Sequence, residues 1–325
     1  MVQIGQLVLN DFPLMLAPME DVSDPPFRAL CKEQLCDLMY TEFVSVEGLI
    51  RDSDKSLKKI ELYEEERPMG IQIFGAEIDS MIKAVHMIEE AKPDLLDINF
   101  GCPVKKVVSK GCGAALLQDI PKMVEMTKRV VEATQVPVTV KTRLGWNEQS
   151  KNVVEVAERL QDIGIQAISI HGRTRSQLYQ GNADWTLIGD VKNNPRMHIP
   201  VFGNGDIDSP QKALEYKNRY GVDGIMIGRA AIGNPWIFKE IKHFIATGEV
   251  LPEPDISERV RVIRKHLDAS IQWKGLRTGI MEMRKHYARY LRGYEGIKPF
   301  RMSLSTENEI DKIYLILTEI TENYK

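Results

Sequence analysis

Cysteine is scarce in these 325 residues: there are four, at positions 31, 36, 102 and 112. They form no C-x2-C pair and no cysteine–histidine cluster, which argues against zinc, so no metal is expected. The N-terminal stretch "MVQIGQLVLNDFPLMLAP" has no basic residue ahead of its apolar part and is broken by Asn10 and Asp11. It does not read as a secretory leader, and four thiols without one suggest a reducing, cytoplasmic setting. No stretch reaches the ~18 uninterrupted apolar residues of a membrane span. Low-complexity tracts are missing, as is any internal repeat beyond the alternation described below. The net charge is only −3, which argues against a general nucleic-acid coat protein.

What is present is an ordinary globular composition, 43% hydrophobic and 27% charged, enough for a full core. The length suggests about two domains. Eight short apolar runs recur, each followed by a helical pattern: residues 14–19, 37–43, 69–75, 95–100, 137–143, 167–172, 199–205 and 224–229. They are continuously apolar, as expected of parallel strands covered on both faces. Between them lie amphipathic stretches such as "PKMVEMTKRVVEAT" (121–134). Eight strand–helix units in about 240 residues match a (β/α)8 TIM barrel. A doubly wound open sheet would use fewer strands and a Gly-rich fingerprint after the first, which is absent.

The strand signal stops at "GEVLPEPDI" (248–256), and helical patterns run to the end. The expected division is therefore a catalytic barrel at 1–247, a linker at 248–256 and a small all-helical domain at 257–325. Residues 257–301 hold twelve Lys or Arg against four Asp or Glu, a net +8 on an otherwise acidic chain. That is the footprint of a polyanionic partner, or else a solvated helix surface. Trp273, Tyr287, Tyr290, Tyr294 and Phe300 are interleaved with these charges; they could stack on RNA bases or fill a core.

Barrel chemistry sits at the C-terminal ends of the strands, and the polar residues of this chain fall there. Pro18, Met19 and Glu20 end the first run, Gln72 lies in the third, and Asn99 and Cys102 follow the fourth. Lys141 and Arg143, two apart and hence on one face, end the fifth. His171-Gly172-Arg173, then Asn204-Gly205-Asp206, then Gly228-Arg229 end the last three. Glycine-bearing loops after the seventh and eighth strands commonly cradle a phosphate, and Arg229 adds a charge-assisted bond. Lysine in a barrel mouth serves either as a Schiff-base nucleophile or as a charge beside a flavin; the spacing leaves both open.

The ordered set "LAPMEDVSDPPFR", "IQIFG", "DINFGCPVKKVVSKGCGAALL", "VPVTVKTRLGW", "ISIHGRTR", "VFGNGDI" and "GIMIGRAAIGNPW" resembles the tRNA-dihydrouridine synthases, most closely their bacterial B-type branch, over roughly residues 4–300. "MRKHYARYL" is similar to that family's RNA-binding helical domain. The resemblance implies FMN as cofactor, NADPH as reductant and tRNA as substrate. It implies FMN contacts from Pro18, Met19 and Glu20 (main chain), Gln72, Lys141 and His171. Asn204, Gly205, Asp206, Gly228 and Arg229 would take the phosphate. Asn99 and Arg143 would face the uracil, and Arg284, Lys285 and Arg289 would grip the tRNA. Glu20 departs from the family, which usually has a small residue there.

On this reading hydride reaches carbon 6 of the uracil, and an acid must protonate carbon 5 from a fixed position. Cys102, between Gly101 and Pro103 at a strand end, is expected to be that acid, with Gly101 permitting an unusual backbone. Lys141 would favour the anionic reduced flavin. Cys112 is expected to be a small packing residue. The expected assembly is a monomer. Two competing readings are an FMN barrel acting on a free pyrimidine, which would lack the basic helical segment, and an RNA-binding protein built on an inactive barrel.

Overall fold

The computed structural model describes residues 1–324. An antiparallel hairpin of β1 (Val2–Ile4) and β2 (Leu7–Leu9) opens the chain. The parallel strands follow: β3 (Leu14–Leu16), β4 (Leu38–Tyr40), β5 (Val44–Ser45), β6 (Met69–Phe74), β7 (Leu95–Asn99), β8 (Val138–Arg143), β9 (Ala167–His171), β10 (Val201–Asn204) and β11 (Gly224–Ile227). Pairing runs β4-β3-β11-β10-β9-β8-β7-β6, and β4 pairs again with β6, so eight strands close into a barrel. All eight expected strands are there. The second run breaks at Thr41–Phe43 and resumes as β5, which pairs only with β6.

Alternation along the strands sorts the side chains. On β7, Leu96 and Ile98 join the apolar layer beneath the outer helices. Leu95 faces inward with Met15, Leu38, Phe202 and Met226, and the hairpin residues Val2, Ile4 and Leu9 pack on that group. The hairpin thus plugs the N-terminal mouth. Sequence reading missed it because three-residue strands carry too little periodicity to register. Continuing upward, the inward positions turn polar: Asp97 and Asn99 on β7, Thr139, Lys141 and Arg143 on β8, Ser169 and His171 on β9. Period two therefore gives an apolar floor and a polar mouth.

The helix Ile237–Thr247 ends at Gly248 in a left-handed conformation (φ +78°), and Asp255 caps the next helix by accepting from the Glu258 N–H. Four helices follow: Ile256–Lys274, Leu276–Tyr290, Lys298–Thr306 and Ile310–Asn323. They share a core containing Ile263, Leu267, Met283, Leu304 and Leu317, and Leu30 and Trp236 from the barrel's helices belong to it too. Phe27 stacks on His266 and tilts against His286, and the half-buried Lys274 pairs with Asp24 and Glu282. The tail is therefore docked on the barrel. Its aromatics are core: Tyr287 and Tyr290 are fully buried, and Tyr294 and Phe300 pack beside them. Trp273 is held by Lys58 over its ring and by Glu61 on its Nε1. These rings are not stacking platforms for bases. No described helix is long and apolar enough to cross a membrane.

Candidate active site

A cavity of about 780 Å³ opens at the C-terminal mouth of the barrel. Pro18, Met19, Glu20, Gln72, Asn99, Cys102, Lys141, Arg143, His171, Asn204, Gly205, Asp206, Gly228 and Arg229 all line it, and so does Arg289 from the helical tail. Seven strand ends deliver these groups to one space, which is what the polar rim implied.

Cys102 sits in a turn built by Asn99. The Asn99 Oδ1 accepts from the N–H groups of Gly101 (2.9 Å) and Cys102 (2.8 Å). Gly101 does not adopt a positive φ, and a Cβ there would meet Thr142 at an ordinary 3.4 Å. Its contribution is instead its carbonyl, which accepts from the Arg143 Nε at 2.7 Å. Burial pushes the Cys102 thiol up, although the Val104 N–H and the Arg143 charge pull it back. It is therefore a neutral thiol at pH 7. Cys112 is buried beside it in a small apolar cluster with Val107 and does not line the cavity.

Arg143 is more committed than a free uracil contact would be. Besides bonding Gly101, it donates from Nη1 to the carbonyls of Thr174 (3.0 Å) and Leu178 (2.9 Å), so it ties the loop after β7 to the loop after β9. Lys141 is half-buried, with its Nζ 3.3 Å from the Asn204 Oδ1. Burial, with Arg143 nearby, pulls it down to about 8. His171 is held well below its usual value, first by burial and then by Arg143, so it is neutral. Arg173 approaches its Nε2 at 3.4 Å, which leaves the ring proton on Nδ1.

Asp206 has a different role from the one expected. Its carboxylate accepts two bonds from Arg173 (2.9 and 2.7 Å), one from Arg229 (2.7 Å) and one from the Ala183 N–H (2.7 Å). Burial alone would raise it, but these donors outweigh burial and keep it ionised. A carboxylate repels a phosphate, so Asp206 organises the two arginines. Gly205 beside it requires glycine, since it lies at φ +124° and a Cβ would come within 2.7 Å of Ala183. Glu20 is compensated: Lys59 bridges it (2.6 Å) and Glu42 (3.3 Å).

Tyr179 and Lys212 line the cavity and were not singled out in the sequence; Arg173, at the end of the sixth strand, lines it too. Arg173 stands in the quoted "HGRTR" string. Tyr179 lies between the Arg143 and Arg229 guanidinium groups, 5.7 and 5.0 Å from its ring, on a loop that gives no periodic signal. Six cations, namely Lys141, Arg143, Arg173, Lys212, Arg229 and Arg289, face the space against Glu20, Asp206 and Asp208. In a chain of net charge −3 this is a cavity for an anion. FMN fits its size and charge.

Arg284 and Lys285 lie outside the cavity and are occupied. Arg284 donates to the Glu307 carbonyl (3.2 Å) and the Asn308 Oδ1 (2.8 Å) at the end of the helix Lys298–Thr306. Lys285 donates to the Asp21 carbonyl. A group already neutralising a helix C-terminus or clamping a loop is poorly placed to meet phosphate. Arg289, by contrast, is exposed, as are Arg277, Arg292 and Lys298.

The family model "Dihydrouridine synthase (Dus)" matches residues 15–323. A tRNA-dihydrouridine synthase B of Pseudomonas putida is 44% identical over 301 residues, 92% of this chain and 88% of that protein. A probable tRNA-dihydrouridine synthase of Rickettsia conorii is 37% identical, covering 100% of this chain and 99% of that one. Among solved structures, a morphinone reductase variant in complex with tetrahydroNAD superposes with TM-score 0.55 at 11% identity, over 79% of this chain and 92% of that one. TcOYE with pHBA also gives 0.55, at 12% identity, over 78% and 94%. These two likenesses carry the barrel fold, while the sequence matches extend along almost the whole chain: it belongs to the dihydrouridine synthase family.

Proposed function

We propose that the chain reduces the C5=C6 bond of particular uridines in tRNA, using FMN recharged by NADPH, with Cys102 as the proton donor. When bound, FMN supplies the hydride chemistry. The main chain at Pro18, Met19 and Glu20, with Gln72, would hold its ring. The backbone at Gly205 and Gly228, with Arg229 and Lys212, would take its phosphate.

The observation that carries the reading is the state of Cys102. Its thiol is neutral, its turn is held by the Gly101 and Cys102 N–H groups donating to the Asn99 Oδ1, and it opens into the same cavity as Lys141 and Asn99. A proton on Sγ can pass to carbon 5 of a uracil placed there. The thiolate left behind is received by the Val104 N–H and by the charges of Arg143 and Lys141. Lys141 would hold positive charge beside the reacting ring, and Arg143 keeps the loops after β7 and β9 in register. The base must leave its stack to enter. Residues 257–325 would hold the tRNA body, with Arg289 as the tail's cation at the cavity itself.

The test is genetic and spectroscopic. The purified protein is expected to be yellow and to release FMN. Transfer RNA from cells lacking the gene is expected to lose dihydrouridine at defined positions and regain it when the gene is restored. A colourless protein that gains no flavin spectrum with added FMN, or an unchanged dihydrouridine map, contradicts the reading.

A further inference from the structure

Beneath the cavity floor lies a carboxylate that the chemistry above does not use. Asp97 is 1% exposed and does not line the cavity. Its Oδ1 accepts from the Thr139 hydroxyl at 2.6 Å and its Oδ2 from the Gln72 Nε2 at 2.6 Å. Gln72 is itself fully buried, and its Oε1 accepts from the Asn99 Nδ2 at 2.8 Å. Asn99 then turns its Oδ1 to the N–H groups of Gly101 and Cys102. We infer that Asp97 is a positioning residue for Cys102, acting through the Gln72 and Asn99 side chains; this rests on the reading of Cys102 as the acid.

Direction carries the argument. Carbon-bound amides have two chemically different ends, and a carboxylate can only accept. Asp97 therefore forces Gln72 to present its NH2 downward and its oxygen upward. That oxygen in turn forces Asn99 to present its NH2 to Gln72 and its oxygen to the cysteine turn. Reversing either amide sets donor against donor at the next link. Burial raises the Asp97 carboxyl to about 6, while Thr139 and Gln72 oppose the rise, so it is an acceptor at neutral pH. A carboxylate that served the fold alone would need its two bonds satisfied but would not need the chain above it.

Two variants of the full-length holoenzyme separate these roles. Asp97→Leu has a similar shape but no acceptor, which frees the Gln72 amide to rotate. Asp97→Asn keeps an acceptor: its oxygen can face Gln72 while its NH2 turns to the Thr139 hydroxyl. For Asp97→Leu we expect amide exchange at Gly101 and Cys102, alkylation of Cys102 by iodoacetamide, and the uridine half-reaction each to change by about tenfold, the first two faster and the last slower. Asp97→Asn should stay within about threefold of wild type on all three. Wild-type exchange and alkylation in the Leu variant overturn the inference. Equal damage in both variants also overturns it, since charge rather than orientation would then be what matters. If the Leu variant does not fold, Asp97→Asn is compared with Asp97→Asn/Thr139→Val, which removes the partner that fixes the asparagine. Exchange at Gly101 and Cys102 should rise at least threefold over Asp97→Asn alone, and unchanged exchange overturns the inference. If Cys102→Ala keeps full activity, the acid reading fails, while the exchange contrast still judges the chain from Asp97 to the turn.

Discussion

At the mouth of the barrel the fold sets the protonation of two residues, Cys102 and Lys141. Cys102 is kept as a thiol by burial, so Cys102→Ala should remove one proton transfer and little else. Reduction of the flavin by NADPH should stay within about twofold, while the uridine step slows by the 10²–10⁴-fold typical of losing a general acid. Stopped-flow measurement of the two half-reactions checks this; a uridine step at the wild-type rate places the acid elsewhere. Lys141 is pulled down to about 8 by burial and by Arg143. Its charge is present below that pH and lost above it, so flavin reduction should fall as pH rises through about 8. Lys141→Arg keeps the charge and should carry the plateau higher. An identical fall in both proteins would mean that another group titrates.

The inward-facing residues were legible in the sequence because period two and the end of each strand point to them. Their partners were not. That Asp206 would bind arginines, and that Gly101 would serve through its carbonyl, depends on loops meeting in space, which no local spacing records.

At the scale of elements, the basic tail divides into used and unused charge. Arg259 donates to the Tyr290 carbonyl and pairs with Glu253, Lys265 pairs with Glu33 and Lys274 with Asp24. The net +8 read from the sequence therefore overstates what an RNA meets. Charge reversal at Arg289, and at Arg277 or Lys298, should weaken tRNA binding and lower the salt slope by about one phosphate contact each. Reversal at Arg284 should instead destabilise the end of its neighbouring helix. Equal slopes in all the variants would mean that the RNA docks on the barrel alone.

The same helices carry a pH liability. His266 is pushed down to about 3 by burial and then by Lys274 and Lys285. His286 is pushed well below its usual value by burial, His266, Lys285 and Lys274. Their rings pack with Phe27 and Tyr290, and the His266 Nδ1 lies 3.2 Å from the Tyr290 hydroxyl. The unfolded chain binds these protons near pH 6.5, and the folded chain does not until far lower pH. Stability is unaffected above 6.5 and falls as pH drops towards 3, by up to about 1.4 kcal/mol per pH unit for each histidine. Thermal melts from pH 7 to 5 should show the decline, and His286→Phe should flatten it. A slope unchanged in that variant would assign the decline to other groups.

At the scale of the whole molecule, barrel and tail are joined where the chemistry is. Lys274 holds Asp24 and Lys285 holds the Asp21 carbonyl, at the two ends of the loop that follows Glu20. Arg289 lines the cavity as well. Cutting the chain near residue 250 would expose the apolar face of Leu30 and Trp236, so the isolated barrel should aggregate. The change from strands to helices was readable, because apolar strand patterning stops after the eighth run. The docking was not, since the contacts span more than 200 positions of sequence.

The most direct test of the central claim uses purified holoprotein, unmodified tRNA and NADPH, with dihydrouridine located by mass spectrometry in parallel reactions of wild type and Cys102→Ala. Wild type is expected to add two hydrogens at one or a few uridines, and Cys102→Ala none in the same time, although NADPH reduces the flavin of both. NADPH consumption by wild type without any dihydrouridine in the tRNA, or equal product from the two proteins, would contradict it.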